Sequence, residues 1–197
     1  MEKVRSFIAI ELPSRLKLEL SKLQARLKAD NQPRIKWVAP DGMHLTLKFL
    51  GSVAEDSIEA ITRAMAEATQ GISPFNLDVQ QLGAFPNPKR VQVVWIGLGG
   101  EIDKLGQLHQ LLETTLAHLG FAPESRPFKS HLTLARLGNE ASAEERQRFG
   151  ELIAGTKFEL NYSIKVDALS LMRSQLTSTG AIYSRISSAR LSKETLS

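Results

Sequence analysis

The 197-residue chain has no cysteine. That excludes disulfides, thiolate metal centres, iron–sulfur clusters and cysteine nucleophiles. Its four histidines leave little room for a histidine-rich metal site. No apolar run approaches the roughly 20 residues that a bilayer-spanning helix needs. The opening Met1-Glu2-Lys3-Val4-Arg5 mixes charges and leads into no signal-like apolar region. The expectation is a soluble, cytoplasmic protein with no membrane association. Neither charge sign dominates: 25 Lys and Arg against 21 Asp and Glu give +4, which permits an anionic partner without requiring one. A chain 42% hydrophobic and 23% charged is an ordinary globular one, long enough to bury a substantial core.

Periodicity orders the chain. Ser6 to Leu12 reads as a strand. Leu16, Leu20, Leu23 and Leu27 recur on one helical face, and Asp30 to Pro33 breaks that helix. Ile35 to Val38 is a short extended piece, and Pro40-Asp41-Gly42 a turn. Met43 to Leu50 alternates as a strand. Ser52 with Glu55 has capping-box spacing ahead of a helix that buries Ile58, Ile61 and Met65. Phe75 to Phe85 and Val91 to Leu98 form a hairpin candidate around Pro86-Asn87-Pro88. A long helix follows, with Ile102, Leu105, Leu108, Leu112, Leu116 and Leu119 inward and Gly120 as its cap. Ser130 to Leu137 is again an alternating strand. Ser142 with Glu145 repeats the capping box before a helix with Phe149, Leu152 and Ile153 inward. Phe158 to Met172 and Ala181 to Ile186 supply the last strands, and the polar tail from Ser187 is expected to fray. Hairpins and mixed order argue for an α+β fold with antiparallel sheets.

One signal dominates. His44-Leu45-Thr46-Leu47-Lys48-Phe49-Leu50-Gly51 returns 87 residues later as His131-Leu132-Thr133-Leu134-Ala135-Arg136-Leu137-Gly138, identical at six of eight positions. Such a repeat predicts two pseudo-symmetric lobes, each presenting one copy. Alternate residues of a strand share a face, so His44 pairs with Thr46 and His131 with Thr133, while the leucines between them pack a core. Two facing lobes bring two imidazoles and two hydroxyls around one point. Imidazoles supply an acid and a base; hydroxyls and a guanidinium hold an anion's oxygens. An in-line displacement at a phosphodiester needs that set, and it needs neither a metal nor a nucleophilic side chain.

Other features read as structural. A lone H-x-T on a strand would mean little; the doubling is what gives it weight. His109 and His118 lie nine residues apart on one helix, face opposite sides, and are expected at the surface or its boundary. No H-x-H or H-E-x-x-H supports a metal at His44 and His131. Gly97-Leu98-Gly99-Gly100 matches no phosphate-binding fingerprint and reads as a turn. Trp37 and Trp95 are expected to pack in the core or at an edge. For Phe49, packing is expected ahead of base stacking. By parity Lys48 shares the histidine's face, whereas Arg136 does not unless the strand twists or bulges.

The doubled H-x-T motif resembles the 2H phosphoesterase superfamily, and more closely the RNA 2′,3′-cyclic phosphodiesterase family, also called 2′-5′ RNA ligase. The likeness runs along nearly the whole chain, through Arg5 to Ile10, Trp37, both octets, Val93-Val94-Trp95, Leu171 to Leu176 and Gly180 to Tyr183. It implies a bilobal α+β fold over residues 1–197 as a single domain (with 188–197 frayed), an antiparallel sheet flanked by helices in each lobe, and an active site in the central cleft. It implies hydrolysis of RNA 2′,3′-cyclic phosphate ends to 2′-phosphomonoesters, and in reverse a 2′-5′ ligation. By motif position His44 is the proton donor, His131 the proton acceptor, and Thr46, Thr133 and Arg136 the phosphate ligands; the arginine's family counterpart argues against the parity objection. The resemblance implies no cofactor and no metal, and nothing in the sequence demands more than a monomer. Two other readings stand beside it: a non-catalytic module binding RNA or nucleotide ends, and the same chemistry on a small cyclic phosphate or 2′-5′ oligonucleotide. Residues 1–50 carry ten basic and five acidic side chains, 51–120 four and eight, and 121–197 eleven and eight. Both motif-bearing segments are therefore basic, as an anionic RNA end favours.

Overall fold

The computed structural model describes residues 3–28, 35–178 and 180–193. Its strands are β1 (Lys3–Glu11), β2 (Ile35–Trp37), β3 (His44–Ala54), β4 (Phe75–Phe85), β5 (Val93–Gly100), β6 (His131–Leu137), β7 (Ser163–Val166), β8 (Ala168–Thr177) and β9 (Gly180–Arg190). Its α-helices are α1 (Ser14–Leu27), α2 (Ile58–Thr69), α3 (Ile102–Ala117) and α4 (Ala143–Gly155). The strands form two antiparallel sheets, one in the order β3-β1-β8-β9 and the other β2-β6-β5-β4-β7. The α+β class with an antiparallel sheet in each lobe is thus as the sequence implies.

Connectivity explains the repeat. In the first half β1 pairs with β3 across α1; in the second β5 pairs with β6 across α3. The strands after the next helices are exchanged. β4 leaves the first half to pair with β5, and β8 leaves the second half to pair with β1. One core takes Ile8, Ile10, Leu45 and Leu47 from the first sheet, Val94, Ile96, Leu132 and Leu134 from the second, and the leucine stripes of α1 and α3. Phe7, Ala9 and Met172 form a small separate cluster with Tyr183 on the opposite face of the first sheet, where His44 stacks on Phe7.

Several local expectations change. The second capping box forms as read, Ser142 and Glu145 each accepting the other's N–H. The first does not: β3 runs on to Ala54, paired with Lys3, so Ser52 lies within a strand and α2 starts at Ile58 without a side-chain cap. Gly97 to Gly100 is the end of β5 rather than a turn, and Gly100 at φ +82° makes the bend into α3. Ile102, Leu119 and Leu152, read as inward, are exposed at helix margins. The tail does not fray from Ser187: β9 pairs with β8 through Arg190, and Ala189 and Leu191 are buried. The expected break at Asp30 to Pro33 and residues 194–197 lie outside the described residues. Among those described, no helix is long and apolar enough to cross a membrane.

Candidate active site

Each motif strand carries the same irregularity. Ala9 pairs with Thr46 and Ile8 with Lys48, leaving Leu47 as an extra residue in β3. Trp95 pairs with Thr133 and Val94 with Ala135, leaving Leu134 as the extra residue in β6. A bulge of this kind shifts every later side chain to the other face. Both octets accordingly share one burial sequence: half-buried His, buried Leu, half-buried Thr, two buried residues, then an exposed one.

That single residue corrects the parity reading. Arg136 joins His131 and Thr133 on the cleft face, and Phe49, at the matching position of the first copy, joins His44 and Thr46. Phe49 is 67% exposed, so packing, the expected role, is not what it does. Lys48 turns the other way and is only 7% exposed. Its ammonium donates to Glu113 Oε2 at 2.7 Å and to the Ala122 carbonyl at 2.6 Å.

His44, Thr46, His131, Thr133 and Arg136 all line one cleft of about 430 Å³. Glu124, Arg126, Phe128 and Lys129, from the segment between α3 and β6, make another wall. His44 is stacked on Phe7, ring centres 4.6 Å apart, with the Tyr183 ring edge-on at 5.2 Å. His131 stands edge-on to Phe85 at 5.2 Å, and Phe85 packs on Trp95. The Trp95 indole lies directly over Gly83, where a Cβ would come within 2.4 Å of the ring. Glycine is thus required at 83 by the close approach.

Electrostatics keep both imidazoles neutral in the free protein. Burial lowers His44 to about 4, with a Gly42 backbone hydrogen bond and Glu11 raising it and Lys17 lowering it. Burial also lowers His131; its hydrogen bond to Lys129 opposes this, and the charges of Arg136 and Lys129 add to it. His131 Nδ1 donates to the Lys129 carbonyl at 2.7 Å, which leaves Nε2 with a free lone pair. Of these two, only His44 has a carboxylate, Glu11, among the charges acting on it.

His109, read as a surface or boundary residue, lines the cleft instead. Its ring stacks on Phe128 at 4.2 Å, and its Nε2 stands 3.7 Å from Glu113 Oε1. Burial lowers its pKa, and Glu113 opposes that. Among the described residues, no three His, Cys, Asp or Glu side chains are grouped to hold a metal ion.

The chain's similarities agree with this geometry. The LigT-like phosphoesterase family model matches twice, over residues 10–95 and 96–183, so each match contains one octet. An RNA 2′,3′-cyclic phosphodiesterase of Methanothermobacter thermautotrophicus is 35% identical over 190 residues, 96% of this chain and 100% of that protein. One from Escherichia coli K12 is 31% identical over 159 residues, 81% of this chain and 86% of that protein. Among solved structures, E. coli LigT complexed with 3′-AMP has a TM-score of 0.77 at 25% identity, covering 96% of this chain and 99% of its own. A crystal structure described as a phosphoesterase has a TM-score of 0.76 at 28% identity, covering 96% and 99%. Matched in both halves and similar along almost its full length, the chain belongs to the LigT-like phosphoesterases of the 2H superfamily, the family of the RNA 2′,3′-cyclic phosphodiesterases.

Proposed function

We propose that the protein opens 2′,3′-cyclic phosphates at RNA ends to 2′-phosphomonoesters, with His44 as proton donor and His131 as proton acceptor. The observation that carries this reading is the convergence of both histidines, both threonines and Arg136 on one cleft. The Nε2 lone pair of His131 takes a proton from water as the water oxygen attacks phosphorus. The P–O3′ bond opposite breaks, and His44 delivers a proton to the leaving O3′. The Thr46 and Thr133 hydroxyls and the Arg136 guanidinium hold the non-bridging oxygens and their growing charge.

The electrostatics support this division. Arg136 and Lys129 act to keep His131 deprotonated, as a base requires. His44 needs a proton that its burial disfavours; an anionic phosphate in the cleft supplies the opposite charge that raises it. A 5′-hydroxyl in place of water gives a 2′-5′ linkage by the same bond changes. The reading takes residues 1–197 as one bilobal unit acting as a monomer in the cytoplasm.

The test is product analysis. Wild type incubated with a nucleoside 2′,3′-cyclic phosphate should yield the 2′-phosphate, and His44→Ala and His131→Ala should not. Tight binding without product would overturn the catalytic reading in favour of an end-binding module.

A further inference from the structure

Residues 118–130 join α3 to β6 with neither helix nor strand. A connection of that length in a small fold is commonly a functional one. This one is tied down by both octets. Lys48 of the first octet donates to the Ala122 carbonyl at 2.6 Å, and its ion-pair partner Glu113 accepts the Glu124 N–H at 3.0 Å. His131 of the second octet donates to the Lys129 carbonyl at 2.7 Å. Between these ties Phe128 stacks on His109, and Pro123 and Pro127 stiffen the backbone by fixing φ.

The ion pair has a use here other than stability. Lys48 and Glu113 are both largely buried, and a buried pair gains little over apolar packing. Each partner instead gives a hydrogen bond to, or takes one from, the main chain of the same segment. The pair therefore fixes where that segment stands against the cleft.

The segment presents an unused cation. The reacting phosphate has its ligands in Thr46, Thr133 and Arg136, and the Lys129 ammonium lies over the Phe85 ring at 5.3 Å. Arg126 lines the cleft and is exposed. Among the described residues, no ion pair or hydrogen bond engages its guanidinium. A planar fork of donors suits phosphate oxygens. Glu124, the segment's one acidic residue, also lines the cleft and would repel the same group, so the contact falls at Arg126. An RNA end offers a second anion beside its cyclic phosphate: the phosphodiester on the 5′ side of the terminal nucleoside.

We propose that Arg126 binds this second phosphate, and that the buried Lys48–Glu113 pair positions the segment that carries it. The assignment deepens the proposed reaction and rests on it for its assay. It makes the enzyme read the chain behind the reacting end, so that a dinucleotide is a better substrate than its charge-neutral counterpart.

The test uses ApA ending in a 2′,3′-cyclic phosphate, with its internal linkage either a phosphodiester or a neutral methylphosphonate. Wild type should favour the phosphodiester by about tenfold in kcat/KM, the scale of one hydrogen-bonded charge contact. In Arg126→Ala that ratio should nearly vanish, and Arg126→Lys should keep part of it. Lys48→Met combined with Glu113→Leu should lose it as well, with thermal melts reporting folding separately. A variant that is merely less stable would slow both dinucleotides together and leave the ratio as it was.

Equal kcat/KM for the two dinucleotides in wild type, or an unchanged ratio in Arg126→Ala, would overturn the second-phosphate site. A folded double variant that keeps the full ratio would overturn the positioning role of the pair. If wild type turns over neither dinucleotide, the reaction assignment has failed instead. The site is then tested by the binding of ApA bearing a terminal 2′-phosphate, again with either linkage. A tighter Kd for the phosphodiester that disappears in Arg126→Ala supports it, and equal affinities overturn it.

Discussion

Phe49 and Arg136 occupy the same position of the two repeated octets, and both face the cleft although strand parity would bury them. One half of the molecule therefore lines the cleft with an apolar ring at the place where the other supplies a guanidinium. Around a phosphate that carries a base on one side, those are complementary roles: a stacking platform and a charge partner.

Phe49→Ala should raise the KM for nucleoside 2′,3′-cyclic phosphates with little change in kcat. Base stacking is worth about 1–3 kcal/mol, so the expected rise is roughly 5- to 150-fold. Phe49→Trp should restore it. Steady-state kinetics on a panel of bases would check this, and an unaltered KM in Phe49→Ala would remove the ring from substrate recognition.

His44→Ala and His131→Ala should each reduce kcat by about 10²–10⁴, the usual scale for a lost general acid or base. Both imidazoles are half-buried and held neutral, so neither change should lower the melting temperature appreciably. Full activity in either variant would dismiss the assignment.

Acid should destabilise the free protein through these groups. The folded pKa of His44 is about 4, against about 6.5 for an unfolded imidazole. Between those values the unfolded chain binds the extra proton, so stability falls as pH is lowered through that window. His131 is shifted in the same direction. Melting temperatures followed from about pH 7.5 to 4.5 should drop less steeply in His44→Ala than in wild type. Inorganic phosphate bound near pH 6 should take up protons, seen as binding heats that depend on the buffer's ionisation enthalpy.

Lys48→Met should destabilise the fold by about 3–5 kcal/mol, because it strands the Glu113 carboxylate in a largely buried site. Glu113 Oε1 already lacks a hydrogen-bond partner, and Oε2 also holds the Glu124 N–H. Combining Lys48→Met with Glu113→Leu should recover most of the loss in urea melts. A double variant no more stable than Lys48→Met would argue against an uncompensated charge as the cause.

Turnover should persist in EDTA. Proton donor, proton acceptor and oxyanion ligands are all assigned to side chains, and the described residues offer no metal-ligand group. Inhibition reversed by a divalent cation would require a different chemistry.

The cleft was legible in the sequence because its lining repeats: eight residues, six identical, announced that both histidines would meet there. Periodicity placed the strands and helices, since leucine stripes and alternating runs report burial directly. What escaped was set by single-residue events. The bulges at Leu47 and Leu134 reversed the faces of Lys48, Phe49 and Arg136, and no local residue type marks them. His109 read as peripheral because its helix is amphipathic, whereas the ring it stacks on, Phe128, comes from an irregular segment that periodicity does not place. The exchange of β4 and β8 between sheets likewise depends on pairing between distant segments, which periodicity does not encode.

That exchange bears on how the protein can be divided. A fragment ending before β5 would carry β4 without the strand it pairs with along Leu77 to Phe85, and would leave β1 without β8. Cutting the chain between its two repeats thus should not yield two autonomous mini-proteins, despite the likeness of the repeats in sequence. Supplied together, the fragments should instead reassemble, each completing the other's sheet. The spacing between His44 and His131 is then a property of interlocked main chains rather than of any tether between them.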